Sequence, residues 1–254
     1  FKIYIRQNNL TNKLQAGSYK LSPSMSTPEI VKALRTGSED AWVTLIEGWR
    51  IEEIAEKLNS ELRIQNSEFL KYAEEGYMFP DTYLFPKEAT AGYIAETLRN
   101  TFDSRFTKEL RSKIRSQGLT EAEGVTLASI VEREARSDEV RKQVASILLK
   151  RLKIDMPLNA DATVQYALGF QQKEKSWGKR NLTFEDLKFD SDYNTYLVVG
   201  LPPAPISNPS ISSLKAVANA DSSTPYLYYF HDSKGNSYYG KTLDEHNRNV
   251  ARYR

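Results

Sequence analysis

The chain has 254 residues, 40% of them hydrophobic, enough for one large domain or two smaller ones with real cores. Its 35 Lys and Arg stand interspersed with 33 Asp and Glu, a balance that argues against a nucleic-acid partner. Cysteine is absent, which excludes disulfides, thiolate catalysis and Cys-ligated metal sites, and His231 and His246 are the only imidazoles, with no HExxH spacing.

No apolar run reaches the roughly 18 residues of a membrane span. The sequence opens on Phe1 and not on Met, so an anchor or signal is expected upstream. Ala16 to Pro23 alternates like a strand, and Thr27 as N-cap, Pro28 at N1 and Gly37 beyond the end bracket a helix over 28–36. Ala41 to Gly48 reads as a second strand, and the helix from Ile51 turns Ile51, Ile54, Ala55 and Leu58 inward. These units predict a small αβ module over residues 1–60. A helix from Asn66 is stopped by Gly76. The following GYMFPDTYLFP, with Tyr77, Phe79, Tyr83 and Phe85 among prolines, is expected to be an ordered loop whose rings line a sugar groove or plug the core. Helices are predicted over 90–102 and 108–116.

Thr120 and Glu123 make a capping box that starts a central helix. At about 100° per residue, Leu127, Ile130, Val131 and Glu134 fall on one stripe, with Glu132 at its shoulder. A carboxyl on that stripe loses hydration on packing, which raises its pKa as a general acid requires; a structural ion pair would place it there equally well. Ser137 caps the next helix, with Val144, Ile147 and Leu148 buried. Asn159, Asp161 and Thr163 precede a short apolar helix that Asp161 itself could cap. Residues 170–190 read as an exposed excursion. Tyr193, Asn194, Thr195 and Tyr196 bring hydroxyls and an amide beside the proline-fixed turn Gly200 to Pro205, and Asn208 and Pro209 start a helix through Ala218. A hairpin turning at Ser233 to Asn236 and a helix begun by Thr242 and Glu245 close the chain.

ASIVERE (Ala128 to Glu134), NADATVQYALG (Asn159 to Gly169), YNTY followed by GLPPAPISNPS, and the closing PYLYYF and EHN stand in the order and spacing of the YceG-like family of endolytic murein transglycosylases, which the chain resembles over nearly its whole length. It departs from the family's usual residues at Ala162, Ala204 and Ser210. The resemblance implies an α+β fold: a LysM-like glycan-binding module over 1–60, then a mixed helical and β-hairpin catalytic domain over 61–254. It implies cleavage of nascent peptidoglycan between MurNAc and GlcNAc with formation of a 1,6-anhydro ring. Glu134 matches the family's catalytic acid and base. No cofactor or metal is required. Asp161, Tyr193, Asn194 and Tyr196 are expected to hold sugar and stabilise an oxocarbenium-like state, with Glu132 and Asn208 also at the substrate. The resemblance further implies peptidoglycan synthases as partners and an upstream membrane helix holding the enzyme outside the cytoplasmic membrane. A hydrolytic muramidase using Asp161 as second carboxylate and a non-catalytic wall-binding scaffold are the rivals.

Overall fold

The computed structural model describes residues 1–15, 17, 19, 21–36 and 40–253, with Thr36 described by its backbone alone. The strand expected over Ala16 to Pro23 falls partly on Ala16, Ser18 and Lys20, and the helix stop on Gly37; these four lie outside the described residues. The described residues of 16–23 are not in a strand.

Helices α1 (Lys2–Gln7) and α2 (Thr27–Thr36) open the chain. The cap of α2 lies one residue earlier than expected, because the Glu29 carboxylate accepts from both the amide and the hydroxyl of Ser26, at 2.7 Å each. Strand β1 (Asp40–Thr44) follows, then α3 (Ile51–Leu62), α4 (Asn66–Leu70), β2 (Thr82–Pro86) and α5 (Ala91–Arg105). Here the aromatic stretch departs from its expected loop. Residues 82–86 pair antiparallel with β1, Asp40 opposite Pro86 and Thr44 opposite Thr82, so that Tyr83 and Phe85 alternate inward beside Val43. The proline that argued for a loop sits at the strand's last residue, where an unpaired amide costs nothing. One hydrophobic cluster accordingly joins Val43, Leu45, Ile54 and Leu58 to Phe69, Phe85, Ile94 and Leu98. The boundary expected at residue 60 falls inside it.

The second half packs α6 (Lys108–Ser116), α7 (Glu121–Glu134), α8 (Asp138–Lys153), α9 (Asp161–Leu168) and α10 (Ile211–Ala218) around a separate cluster. Two short hairpins complete it: β3 (Phe170–Gln171) with β4 (Ser176–Trp177), and β5 (Tyr228–His231) with β6 (Ser237–Gly240), before the terminal α11 (Leu243–Tyr253). The architecture is α+β, with helices dominant and two-stranded antiparallel sheets at the margins.

Helix α7 is the axis of this half. Every residue from Gly124 to Val131 is buried, so the single apolar stripe of the helical projection becomes an all-round contact with α6, α8, α9 and α10. Gly124 permits the close approach of α6, since a Cβ there would stand 2.4 Å from Ile114 Cγ2. The proline-rich segment is tied to α7 through Ser129, whose Oγ accepts from the Ile206 amide and whose carbonyl accepts from Ser207 Oγ, both at 3.0 Å.

Asn208 locks the two clusters together. Its Oδ1 accepts from the amides of Gly76 (3.0 Å) and Met78 (2.8 Å), and its Nδ2 donates to Trp49 O (3.0 Å) and Glu75 Oε1 (2.8 Å). The backbone around it bonds Gly48 and Trp49 as well. Gly76 turns here at φ +90°, and a Cβ would meet Pro205 at 2.5 Å. Asn208→Ala leaves several buried partners unmatched and is expected to destabilise the fold by about 2–4 kcal/mol. Urea unfolding measures this, and a loss under about 0.5 kcal/mol would remove Asn208 from that role.

Candidate active site

The capping box fixes where α7 begins: Thr120 Oγ1 accepts from the Glu123 amide at 3.2 Å, and the Glu123 carboxylate accepts from the Thr120 amide at 2.7 Å. Glu134 is the last residue of the helix, at the pole where backbone carbonyls disfavour a second negative charge. It opens onto a cleft of about 560 Å³. Glu47 and Gly48, from the loop between β1 and α3, form one side; Asp161, Ala162 and Gln165 of α9 form another, and the β5–β6 hairpin from His231 to Ser237 closes the third.

The Glu134 carboxyl is pushed up to about 7, first by burial and then by the neighbouring Asp161. Against these act the Ala162 amide, 3.4 Å from Oε1, the Tyr229 hydroxyl, which donates to Oε2 at 3.2 Å, and Arg133. Tyr229 is itself held far above the ordinary phenol range by burial and by Glu134, so it stays a donor. A carboxyl that is half-protonated near neutrality, with one fixed donor and open space beside it, can give up a proton and take one back.

A model of the YceG-like family matches residues 1–252. The chain belongs to the YceG-like family. It is 30% identical to proteins named endolytic murein transglycosylase from Streptococcus pneumoniae (strain D39) and Bacillus subtilis (strain 168), over its full length in both cases. It spans about half of the S. pneumoniae relative, 53%, and 76% of the B. subtilis one. A crystal structure of a YceG-like protein from Listeria monocytogenes superimposes with a TM-score of 0.73 at 32% identity, covering 97% of this chain and 88% of that one.

Within this YceG-like chain the residues singled out from sequence separate into two groups. Glu134 and Asp161 share the cleft. Asp161 is not a cap: Ala160 occupies that position without a side-chain bond, and Asp161 Oδ1 accepts from the Tyr196 hydroxyl at 2.6 Å. Tyr196 therefore reaches the site by orienting Asp161. The others hold parts of the framework together. Glu132 borders the cleft, but its side chain is 4% exposed, and Oε1 accepts from Arg141 at 2.8 Å. Its Oε2 accepts from the Ser210 amide and hydroxyl and the Ser213 hydroxyl, at 2.9, 2.5 and 2.8 Å. Both oxygens of Glu132 are thus engaged by groups of the fold itself. Ser210 also caps α10, two residues beyond the start expected from Asn208. Tyr193 packs on the Tyr166 ring at 4.8 Å between centroids. Asn194 is fully buried and holds its own loop, donating to Leu187 O and Phe189 O and accepting from the Tyr196 amide. Asn208 is the interior lock described above.

Sequence reasoning missed Tyr229, His231 and Arg136. The hairpin was legible, and Tyr229 and His231 are two apart on one face of β5, but nothing local showed which face meets α7. Glu132→Ala strands Arg141 without its main counter-charge and is expected to cost about 3–5 kcal/mol, read by thermal or urea unfolding. A cost near zero would return Glu132 to the list of functional groups.

Proposed function

We propose that this chain cuts peptidoglycan glycan strands internally as a lytic transglycosylase, with Glu134 as the single acid and base. The observation that carries the reading is the carboxyl of Glu134, raised to about 7 at the wall of an open cleft. In its neutral form Glu134 protonates the oxygen leaving MurNAc C1. The resulting carboxylate then removes the proton from the MurNAc C6 hydroxyl, whose oxygen closes onto C1 to give the 1,6-anhydro end, and the acid is regenerated. Tyr229 donates to the carboxylate between the two transfers. Asp161, held by Tyr196, faces the positive charge that develops at the anomeric carbon. Similarity of the whole of this chain to part of proteins named endolytic murein transglycosylase supports the same reading.

The proposal includes a glycan grip in the N-terminal module, whose Glu47 and Gly48 border the cleft. It also includes action outside the cytoplasmic membrane, tethered by an upstream helix and beside peptidoglycan synthases; the cell-wall relatives support the first of these. One observation favours a second reading. Asp161 beside Glu134 is a second carboxylate, the group a hydrolytic muramidase would need. Mass spectrometry of products from polymeric peptidoglycan separates them: anhydro-MurNAc ends are expected, and reducing MurNAc ends would establish hydrolysis.

Because the first step needs the neutral acid, kcat/KM is expected to fall as pH rises through about 7, with the alkaline limb absent in Glu134→Gln along with at least about 100-fold of the rate. A limb centred near 4.5, the ordinary value, would contradict the assignment. Folding stability carries the same signature. The folded acid is raised above its unfolded value, so its contribution is intact below about 4.5 and is lost as pH climbs through about 7. Glu134→Gln is therefore expected to match wild type near pH 4 and to exceed it by on the order of 1–3 kcal/mol at pH 8, measured by chemical denaturation at both pH values.

A further inference from the structure

Helix α7 ends at Glu134, and the next residue, Ala135, is extended at φ −134° and ψ 138° with its side chain buried. Residues flanking a buried position in extended backbone project to the same side, and both Glu134 and Arg136 do line the cleft. Arg136 is exposed there and has no ion pair or hydrogen-bond partner among the described residues. Arg133, the other guanidinium at the cleft, is engaged, donating to Gly48 O at 3.1 Å. On the hairpin wall, His231 places Nδ1 2.9 Å from Ser237 Oγ, while its Nε2 is buried with no partner among the described residues. Burial, then the nearby Arg136, hold the His231 ring below its ordinary value, so it is neutral at physiological pH. In the tautomer in which Ser237 donates to Nδ1, the ring hydrogen sits on Nε2, a buried donor of the kind native folds rarely leave unmatched.

We propose that Arg136 and His231 form a carboxylate-binding subsite beside Glu134 that grips an acidic group on the peptide stem of the muramoyl residue. The inference rests on the reading that the cleft holds a peptidoglycan strand. Arg136 is a donor, as is His231 in that tautomer, so their complement is an acceptor, and a guanidinium favours a carboxylate. The neighbouring Asp232 does not fill the place, because its carboxylate is committed to the hairpin turn, accepting from the Lys234 and Asn236 amides and from Asn236 Nδ2. The sugars themselves carry no charge apart from the lactyl carboxyl of MurNAc. On an intact strand that carboxyl is tied up as the amide to the stem, which leaves the stem's own carboxylates as the anions within reach. The subsite makes the enzyme a reader of stem chemistry: acidic stems are held, and amidated stems are held less well.

Cleavage kinetics on three substrates test this: strands with free stem carboxylates, strands with those carboxylates amidated, and stem-free strands exposing the lactyl carboxylate. Wild type is expected to prefer acidic stems. Arg136→Ala is expected to raise KM for them by about 10- to 100-fold, the worth of one charge-assisted hydrogen bond, with kcat little changed and the preference over amidated stems erased. His231→Phe is expected to act in the same direction and His231→Gln, which keeps an N–H, to recover part of the loss. An equal effect of Arg136→Ala on all three substrates, or one confined to stem-free strands, overturns the stem subsite. Cleavage by wild type that Arg136→Ala leaves unaltered sinks the subsite alone, whereas failure of wild type to cut any of the three sinks the enzymatic reading with it.

Discussion

The withdrawal of one carboxyl group from water is the constraint on which the structure depends. A glutamate at the C-terminus of a helix meets the negative pole of that helix, and here it also meets a second acid on α9. Such a position is unfavourable for the ionised form, and a folded chain tolerates it only because packing elsewhere over-determines where the helix ends. That packing is α7 itself, enclosed by helices over most of its length and held at its start by a capping box.

The two glutamates of the VERE segment illustrate how environment divides identical chemistry. Glu132 faces a guanidinium and three donors from α10 and its cap, all four bonds within 2.9 Å. Glu134, two residues on, receives one tyrosine hydroxyl and one distant amide. The first is satisfied as an anion and fixes α7 against α8 and α10. The second is under-satisfied and stays near its titration point. The better-bonded residue is the structural one.

The cleft exists because two hydrophobic cores are joined at a rigid seam. Asn208 fastens the loops at Gly48 and Gly76 to the proline-rich segment, and Ser129 fastens that segment to α7. The β3–β4 hairpin adds a second clasp: Arg50 lies over the rings of Tyr166 and Trp177, at 4.0 and 4.7 Å, and Trp177 donates to Glu56. These contacts hold the Glu47–Gly48 loop at the rim of the site.

The sequence by itself determined most of the helices and several of their ends, because caps and periodicity act within a few residues, although the helix from Asn66 ends at Leu70 and not at Gly76. The box at Thr120, the cap at Ser137 and the helix over 108–116 stand where local chemistry puts them. It also put Glu134 on an apolar face, visible in a helical projection, while the role expected of it came from the family resemblance. Only the tertiary structure decided that residues 82–86 form a strand, that the first core runs on to Leu98, and that Asn194 and Asn208 are interior fasteners. Only it brought Tyr229, His231 and Arg136 to the same cleft as Glu134. Strand pairing and hydrogen bonding between segments 40 to 160 residues apart depend on where the chain returns, and no local pattern of side chains encodes that return.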